Sequence, residues 1–130
     1  MKTIVLDTNI LVSALIYPER TPGLILHMAT DDDCIICYDM RILDEYQEVL
    51  NRPRFDFPPS QVEELISEII ENGISITAAP AGVGFTDQSD KPFYEVAKSS
   101  GSTLVTGNTK HYPDEPFIMT PAQFLETYYG

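Results

Sequence analysis

The feature that most constrains the fold is the alternation of short apolar segments with stretches that have helical spacing. Residues 3–6 are β-branched and apolar without strict alternation, which is typical of a strand covered on both faces. Strands that alternate with helices favour right-handed crossovers and parallel pairing. The sequence therefore predicts an α/β fold, specifically a three-layer α/β/α sandwich around a central, mostly parallel sheet of four to five strands.

Turn residues and prolines set the bounds of the predicted elements. Pro18 ends the first helix, while Asn72 and Gly73 close the fourth. In chain order we predict a strand at 3–6, a helix over 10–15, a helix after 21–23, a strand at 34–38, a helix over 39–50, a helix over 58–72, a strand at 74–77, a helix through 93–97, a strand at 103–106, a strand at 117–119 and a helix from 121.

Length and composition favour one soluble domain. A chain of 130 residues is close to the usual size of a single domain, so we expect one domain over 1–130. No apolar run approaches the roughly 18 residues that a membrane span needs, and no signal-peptide pattern is present. We expect a cytoplasmic protein with no membrane partner.

The charge balance limits how this chain can bind a polyanion. Eight basic and 20 acidic residues give a net charge of −12, which argues against a broad basic surface for nucleic acid. The local basic concentration is formed by Arg41, Arg52 and Arg54, which either hold a phosphate or are simply solvated.

Cys34 and Cys37 have the spacing of a redox or zinc motif but lie in an apolar segment. Residues three apart in a strand face opposite sides, and a zinc site would need two further ligands besides His27 or His111. We therefore expect two buried, reduced cysteines in a reducing compartment.

Acidic and polar residues follow the strands, where open parallel sheets carry their ligand sites. Taken singly, each is explained as well by a helix cap or a turn. After the four main strands the chain carries Asp7, Thr8 and Asn9, then Glu45 on the following helix, then Asp87 and Asp90, and finally Thr106 and Asn108.

Glu45 is placed by the helical periodicity of its neighbours. On a helical wheel it borders the apolar face, whereas Asp44 and Glu48 point to solvent. Glu45 alone of these three is positioned to reach over the sheet edge. The alternative is a border residue that pairs with a nearby arginine.

A cluster of carboxylates in one cleft predicts a divalent cation. Like charges repel, and hard oxygen ligands suit Mg²⁺ or Mn²⁺. Such ions activate water, stabilise charge on a phosphodiester and bridge an acidic protein to a polyanion.

Four segments in order, residues 5–14, 42–55, 90–97 and 104–108, resemble the successive motifs of PIN domains. The resemblance is greatest to single-domain bacterial PIN proteins described as toxins of toxin-antitoxin pairs. It implies a metal-dependent endoribonuclease that uses Mg²⁺ or Mn²⁺, with an RNA substrate, a cognate antitoxin protein and a possible homodimer.

The resemblance also implies roles for individual residues. Asp7, Glu45 and Asp90 match the family acids, as catalytic residues and metal ligands. Asn108 occupies a further ligand position, where many PIN domains have aspartate. The implied auxiliary residues are Asp87, Thr8, Asn9 and Thr106, and weaker candidates for contacting RNA phosphates are Arg52, Arg54 and His111.

Competing functions are separated by the residues they require. A phosphorelay receiver needs a paired acid after the first strand, and a haloacid-dehalogenase phosphatase needs Asp-x-Asp where this chain has Asp7-Thr8-Asn9. Neither pattern is present. The remaining alternative is a catalytically impaired PIN-fold module that binds RNA or protein, because an amide at Asn108 is a weaker ligand than a carboxylate.

Overall fold

A computed structural model describes residues 2–31 and 33–129. In this part of the chain five strands and six α-helices alternate. The strands are β1 (Lys2–Leu6), β2 (Cys34–Tyr38), β3 (Ile74–Ser75), β4 (Thr103–Val105) and β5 (Ile118–Met119). The helices are α1 (Thr8–Ile16), α2 (Thr21–Thr30), α3 (Met40–Leu50), α4 (Pro59–Asn72), α5 (Lys91–Ser100) and α6 (Pro121–Tyr129).

The strands form one parallel sheet in the order β3-β2-β1-β4-β5. Ile4 on the central strand is in register with Ile36 on one side and Thr103 on the other. Val5 and Leu6 are, like Ile4, completely buried, and successive residues of a strand point to opposite faces. Helices therefore cover both faces, and the predicted α/β fold with a parallel central sheet is confirmed.

The strand order places a crevice at the carboxyl ends of β1 and β4. The chain moves from β1 outward to β2 and β3, then returns to the other side of β1 for β4 and β5. A reversal of this kind leaves the carboxyl ends of two neighbouring strands uncovered by a crossover, and ligands bind at such points in open sheets.

The structure differs from the predicted elements in two respects. The strand predicted at 74–77 pairs with β2 only over Ile74–Ser75, because it is an edge strand with a single neighbour. Ile76 still donates to the Tyr38 carbonyl at 2.8 Å before the chain leaves the sheet. Short 3-10 turns at Pro53–Phe55, Gln88–Asp90 and Thr109–His111 were not predicted, since three residues carry no measurable periodicity.

The structure answers the prediction about the two cysteines. Cys34 and Cys37 are both buried and free, as expected of reduced cysteines. Within residues 2–31 and 33–129, no helix combines the length and the apolar character needed to cross a membrane.

Candidate active site

Asp7 lies at the junction of β1 and α1, where the strand ends and the helix begins. Its side chain is buried, and Oδ2 accepts hydrogen bonds from Thr106 Oγ1 at 2.7 Å and from Tyr112 Oη at 2.9 Å. Burial raises the pKa of Asp7, and the two hydroxyl donors oppose that rise. Because both bonds are made to Oδ2, they fix the orientation of the carboxylate from one side.

The ends of β1 and β4 are joined by polar contacts as well as by the sheet. Thr106 Oγ1 donates to Asp7 and also accepts from the backbone N–H of Asn108 at 3.0 Å. The backbone N–H of Gly107 donates to Asn9 Oδ1 at 3.3 Å. Thr106 thus couples the carboxylate of Asp7 to the loop that carries Asn108.

Asp90 precedes α5, and its side chain is 14% exposed. Burial, followed by the negative charges of Asp7 and Asp87, raises the pKa of Asp90 to about 6, and His111 opposes this rise. The Nδ1 atom of His111 lies 3.7 Å from Asp90 Oδ2. The long-range effect of Asp7 and Asp87 on Asp90 means that these carboxylates share one electrostatic environment.

Glu45 lies on α3 at the border of the buried face, as the helical wheel predicts, and Asp44 and Glu48 are exposed. Burial raises the pKa of Glu45, and the charges of Glu48, Asp7 and Asp87 add to the rise while Arg52 opposes it. Arg52 pairs with Glu48 at 3.3 Å, so the alternative of Glu45 as an arginine's partner is not supported.

Asp87 differs from the other three carboxylates. It is exposed, and its Oδ1 accepts from both the backbone N–H and the hydroxyl of Ser89, at 2.9 and 2.7 Å. These bonds lower the pKa of Asp87. Asp87 therefore stays ionised and keeps a negative charge at the rim of the site.

The four carboxylates line one open cavity of about 340 Å³. A water molecule takes up roughly 30 Å³, so a hydrated ion and part of a substrate fit together in this volume. Its lining includes nearly all the residues predicted from the sequence: Asp7, Thr8, Asn9, Glu45, Arg52, Arg54, Asp87, Asp90, Asn108 and His111. Thr106 lies beneath the cavity, completely buried.

The donor set fits Mg²⁺ or Mn²⁺ held with part of its water shell. In residues 2–31 and 33–129, no three His, Cys, Asp or Glu side chains lie close enough together to hold a metal ion between them. Mg²⁺ rarely binds in a cage made wholly of protein side chains, because it keeps several waters and binds one or two carboxylates. Thr8 Oγ1 is buried beside the cavity without a partner among the described residues, and a bound water would satisfy it.

Two residues at the site have larger roles in the structure than the sequence indicated. Tyr112 was not singled out, because Lys110-His111-Tyr112-Pro113 has neither strand nor helix periodicity. His111 is predicted from the sequence only as a weak candidate for an RNA contact, yet it lines the cavity beside Asp90. A 3-10 turn at Thr109–His111 directs the chain back so that Tyr112 reaches Asp7.

The fold and this edge of carboxylates define a PIN domain. The sequence model of the PIN domain family matches residues 3–110, and the chain belongs to that family. PIN domains are in general nucleases.

Among solved structures, the chain is similar to one in the crystal structure of VapBC2 from Rickettsia felis bound to a DNA fragment from their promoter. That match has a TM-score of 0.60 and 17% sequence identity, and it covers 91% of this chain and 96% of the other. At this identity the likeness supports the fold alone. No curated protein matches this sequence.

Proposed function

We propose that this protein is a metal-dependent endoribonuclease that hydrolyses RNA phosphodiester bonds with Mg²⁺ or Mn²⁺. The observation that carries the proposal is that Asp7, Glu45, Asp87 and Asp90 line one cavity at the carboxyl ends of the strands, where burial and the charges of Asp7 and Asp87 also raise the pKa of Asp90. A protein gains nothing in stability from such repulsion. A bound cation would remove it and would also neutralise an incoming phosphate.

The proposed metal ligands are drawn from Asp7, Glu45, Asp90 and the neutral Asn108; one or two of the carboxylates would bind the ion directly and the other groups would bind it through its waters. When bound, the ion would supply an activated water and charge stabilisation at the phosphodiester. Thr106 and Tyr112 hold Oδ2 of Asp7, whose side chain lines the cavity. Asp87, Thr8 and Asn9 line the cavity. In this proposal they bind and orient the waters of the ion.

The proposed biological role is that of the toxin in a toxin-antitoxin pair, acting as a single domain in the cytoplasm. Its support is the PIN family membership and the fold shared with the VapBC2 structure. The partners are then an RNA substrate, a cognate antitoxin protein and a possible second copy of this chain.

The second candidate is a PIN-fold module that binds RNA or protein without cleaving it. The observation in its favour is Asn108, whose uncharged amide stands at the cavity where a fourth carboxylate would complete the ligand set. A module of this kind would bind its partner equally well with and without metal.

Cleavage of a mixed RNA pool distinguishes the two candidates. Wild-type protein should cleave RNA with Mn²⁺ or Mg²⁺ and stop in EDTA, and Asp7→Asn and Asp90→Asn should each lose about 100-fold or more in rate. Asp44→Asn, an exposed neighbour of Glu45 outside the cavity, is the matched control and should keep wild-type activity. Cleavage by Asp7→Asn at the wild-type rate, or cleavage that persists in EDTA, would contradict the enzyme.

A further inference from the structure

The loop over residues 76–87, which carries the chain from β3 towards α5, is attached to α5 by two backbone hydrogen bonds. The N–H of Ala79 donates to Ser99 Oγ at 2.9 Å. The N–H of Ala81 donates to Oε2 of the buried Glu95 at 2.8 Å. The first half of the loop is therefore fixed on α5.

Phe85 attaches the second half of this loop to the core. The three residues before it, Gly82–Gly84, are exposed, and Gly82 has φ 72°, a conformation that glycine adopts without strain. The half-buried ring of Phe85 lies edge-on against Tyr94, with centroids 5.5 Å apart and planes at 61°, and against Tyr112, at 6.2 Å and 74°. Edge-to-face pairs of this kind are favourable beyond the area that they bury. The two tyrosine rings therefore hold Phe85, and Phe85 in turn restricts the ring of Tyr112.

Tyr112 connects this loop to the carboxylate cavity. Its ring contacts Phe85, and its hydroxyl donates to Asp7 Oδ2 at 2.9 Å. The ring is rigid, so a shift of the ring displaces the hydroxyl with it, and hydrogen bonds weaken steeply as their geometry worsens. Two residues beyond Phe85, the same loop places Asp87 on the cavity. The loop thus reaches the cavity at two points, through Tyr112 to Asp7 and directly through Asp87.

We propose that Phe85 is a positioning residue of the metal site: docked against Tyr112, it holds the tyrosine hydroxyl on Asp7, so that docking of the loop 76–87 and binding of a divalent cation stabilise each other. The inference rests on the metal site of the proposed ribonuclease and adds to it a residue that does not line the cavity. Coupling of this kind is reciprocal. If the docked loop strengthens cation binding by some factor, the bound cation favours the docked loop by the same factor.

Titration calorimetry of the metal-free protein with Mn²⁺ tests the effect of the ring. Phe85→Leu keeps an apolar side chain but removes the aromatic edge, and we expect the dissociation constant for Mn²⁺ to rise about threefold. The matched control is Phe117→Leu. The ring of Phe117 also packs on Tyr94, with centroids 5.8 Å apart, but within residues 2–31 and 33–129 it forms no ring pair with Tyr112. Phe117→Leu should bind Mn²⁺ as wild type does, although both variants lose some thermal stability.

A double-mutant cycle tests the route through Tyr112. In Tyr112→Phe the hydroxyl that Phe85 is proposed to hold is absent, so adding Phe85→Leu to this variant should not weaken Mn²⁺ binding further. A purely structural role of Phe85 would lower the melting temperature in both backgrounds without changing the Mn²⁺ affinity in either.

Hydrogen exchange of the wild-type loop tests the reverse direction of the coupling. Saturating Mn²⁺ should slow exchange of the Ala79 and Ala81 amides about threefold, beyond any change in α4, which contributes no residue to the cavity. Mass spectrometry of peptides from residues 76–87 and 59–72 gives both rates. This measurement needs no variant, so it tests the inference even if Phe85→Leu fails to fold.

The results separate this inference from the proposed metal site. If wild type binds Mn²⁺ but Phe85→Leu binds it equally tightly, or if Phe117→Leu binds it as weakly as Phe85→Leu does, Phe85 does not position the site and the metal site stands. A further loss of affinity when Phe85→Leu is added to Tyr112→Phe, or loop exchange that Mn²⁺ leaves unchanged, also overturns the inference. If wild type binds no Mn²⁺, both proposals fail.

Discussion

The hydroxyl of Tyr112 donates a hydrogen bond to Oδ2 of Asp7 at 2.9 Å across 105 residues of sequence. Thr106 donates to the same oxygen at 2.7 Å. A buried carboxylate oxygen that accepts two hydroxyl donors has little freedom to rotate. The candidate ligand Asp7 is therefore positioned before any ion arrives.

Tyr112→Phe removes one of these two donors and nothing else. We expect the fold to persist with a loss of about 1 kcal/mol in the free energy of unfolding, and the Mn²⁺ affinity to fall several-fold because Asp7 is less well oriented. Tyr94→Phe is the control, since the Tyr94 hydroxyl binds Glu115 instead. Equal Mn²⁺ affinity in Tyr112→Phe and wild type, measured by calorimetry, would leave Tyr112 with a structural role only.

The pKa of Asp90 gives the metal-free protein a pH dependence. Its folded pKa of about 6 lies above the ordinary aspartate value of 3.8, so the contribution of Asp90 to folding stability is complete below pH 3.8 and is lost as the pH rises through about 6. Asp90→Asn removes this loss of stability at high pH, because an amide does not ionise. Asn and Asp are equally favourable at the start of a helix.

We therefore expect metal-free Asp90→Asn to be more stable than wild type by about 1 kcal/mol at pH 7, a figure reduced for the partial exposure of the site. The difference should disappear near pH 4. Thermal melts in EDTA across this range provide the measurement, and a stability difference that does not change with pH would contradict the shared electrostatic environment.

Glu95 links α5 to Arg41 on α3 and to the loop at Ala81. Its side chain is 4% exposed and accepts from Arg41 Nη1 at 2.7 Å and from the backbone N–H of Ala81 at 2.8 Å. Burial alone would raise the pKa of Glu95, but these donors more than offset it and the pKa is lowered. The contribution of ionised Glu95 to the free energy of unfolding is thus present above pH 4.5 and is lost as the pH falls through the folded pKa of Glu95.

Arg41→Ala leaves this buried carboxylate without its cation. We expect a loss of about 2 kcal/mol in urea unfolding at pH 7, below the full cost of a buried pair because Arg41 is 47% exposed. The deficit should shrink as the pH falls through the folded pKa of Glu95 and this carboxylate is protonated. Arg52→Ala, which breaks only the exposed pair with Glu48, should cost less than about 0.5 kcal/mol, and equal losses in the two variants would refute the argument.

Asn108→Asp adds a carboxylate to the cavity. The metal-free protein should melt earlier through repulsion with Asp7 and Asp90, and saturating Mn²⁺ should raise its melting temperature more than it raises that of wild type. Gln61→Glu adds the same charge on α4 away from the cavity and should not change the Mn²⁺ response. If Mn²⁺ raises the melting temperature of Asn108→Asp and of wild type by the same amount, position 108 does not contact the bound metal.

The sequence predicted those parts of the molecule that depend on local patterns. Residues 3–6 read as a central strand because both faces are buried, and Glu45 was placed by its helical neighbours. The edge strand Ile74–Ser75 was overextended, because β-branched residues persist where the ladder has ended. Tyr112 was missed since its contact with Asp7 depends on tertiary structure alone.

Mn²⁺ binding to the metal-free protein, measured by isothermal titration calorimetry, tests most directly the claim that this cavity is a metal site. Wild type and Asp44→Asn, whose carboxylate is exposed and outside the cavity, should bind Mn²⁺ with the same affinity and stoichiometry. Asp7→Asn should bind about tenfold or more weakly, because a buried carboxylate ligand is lost. Wild-type protein that takes up no Mn²⁺, or Asp7→Asn that binds it as wild type does, would contradict the account.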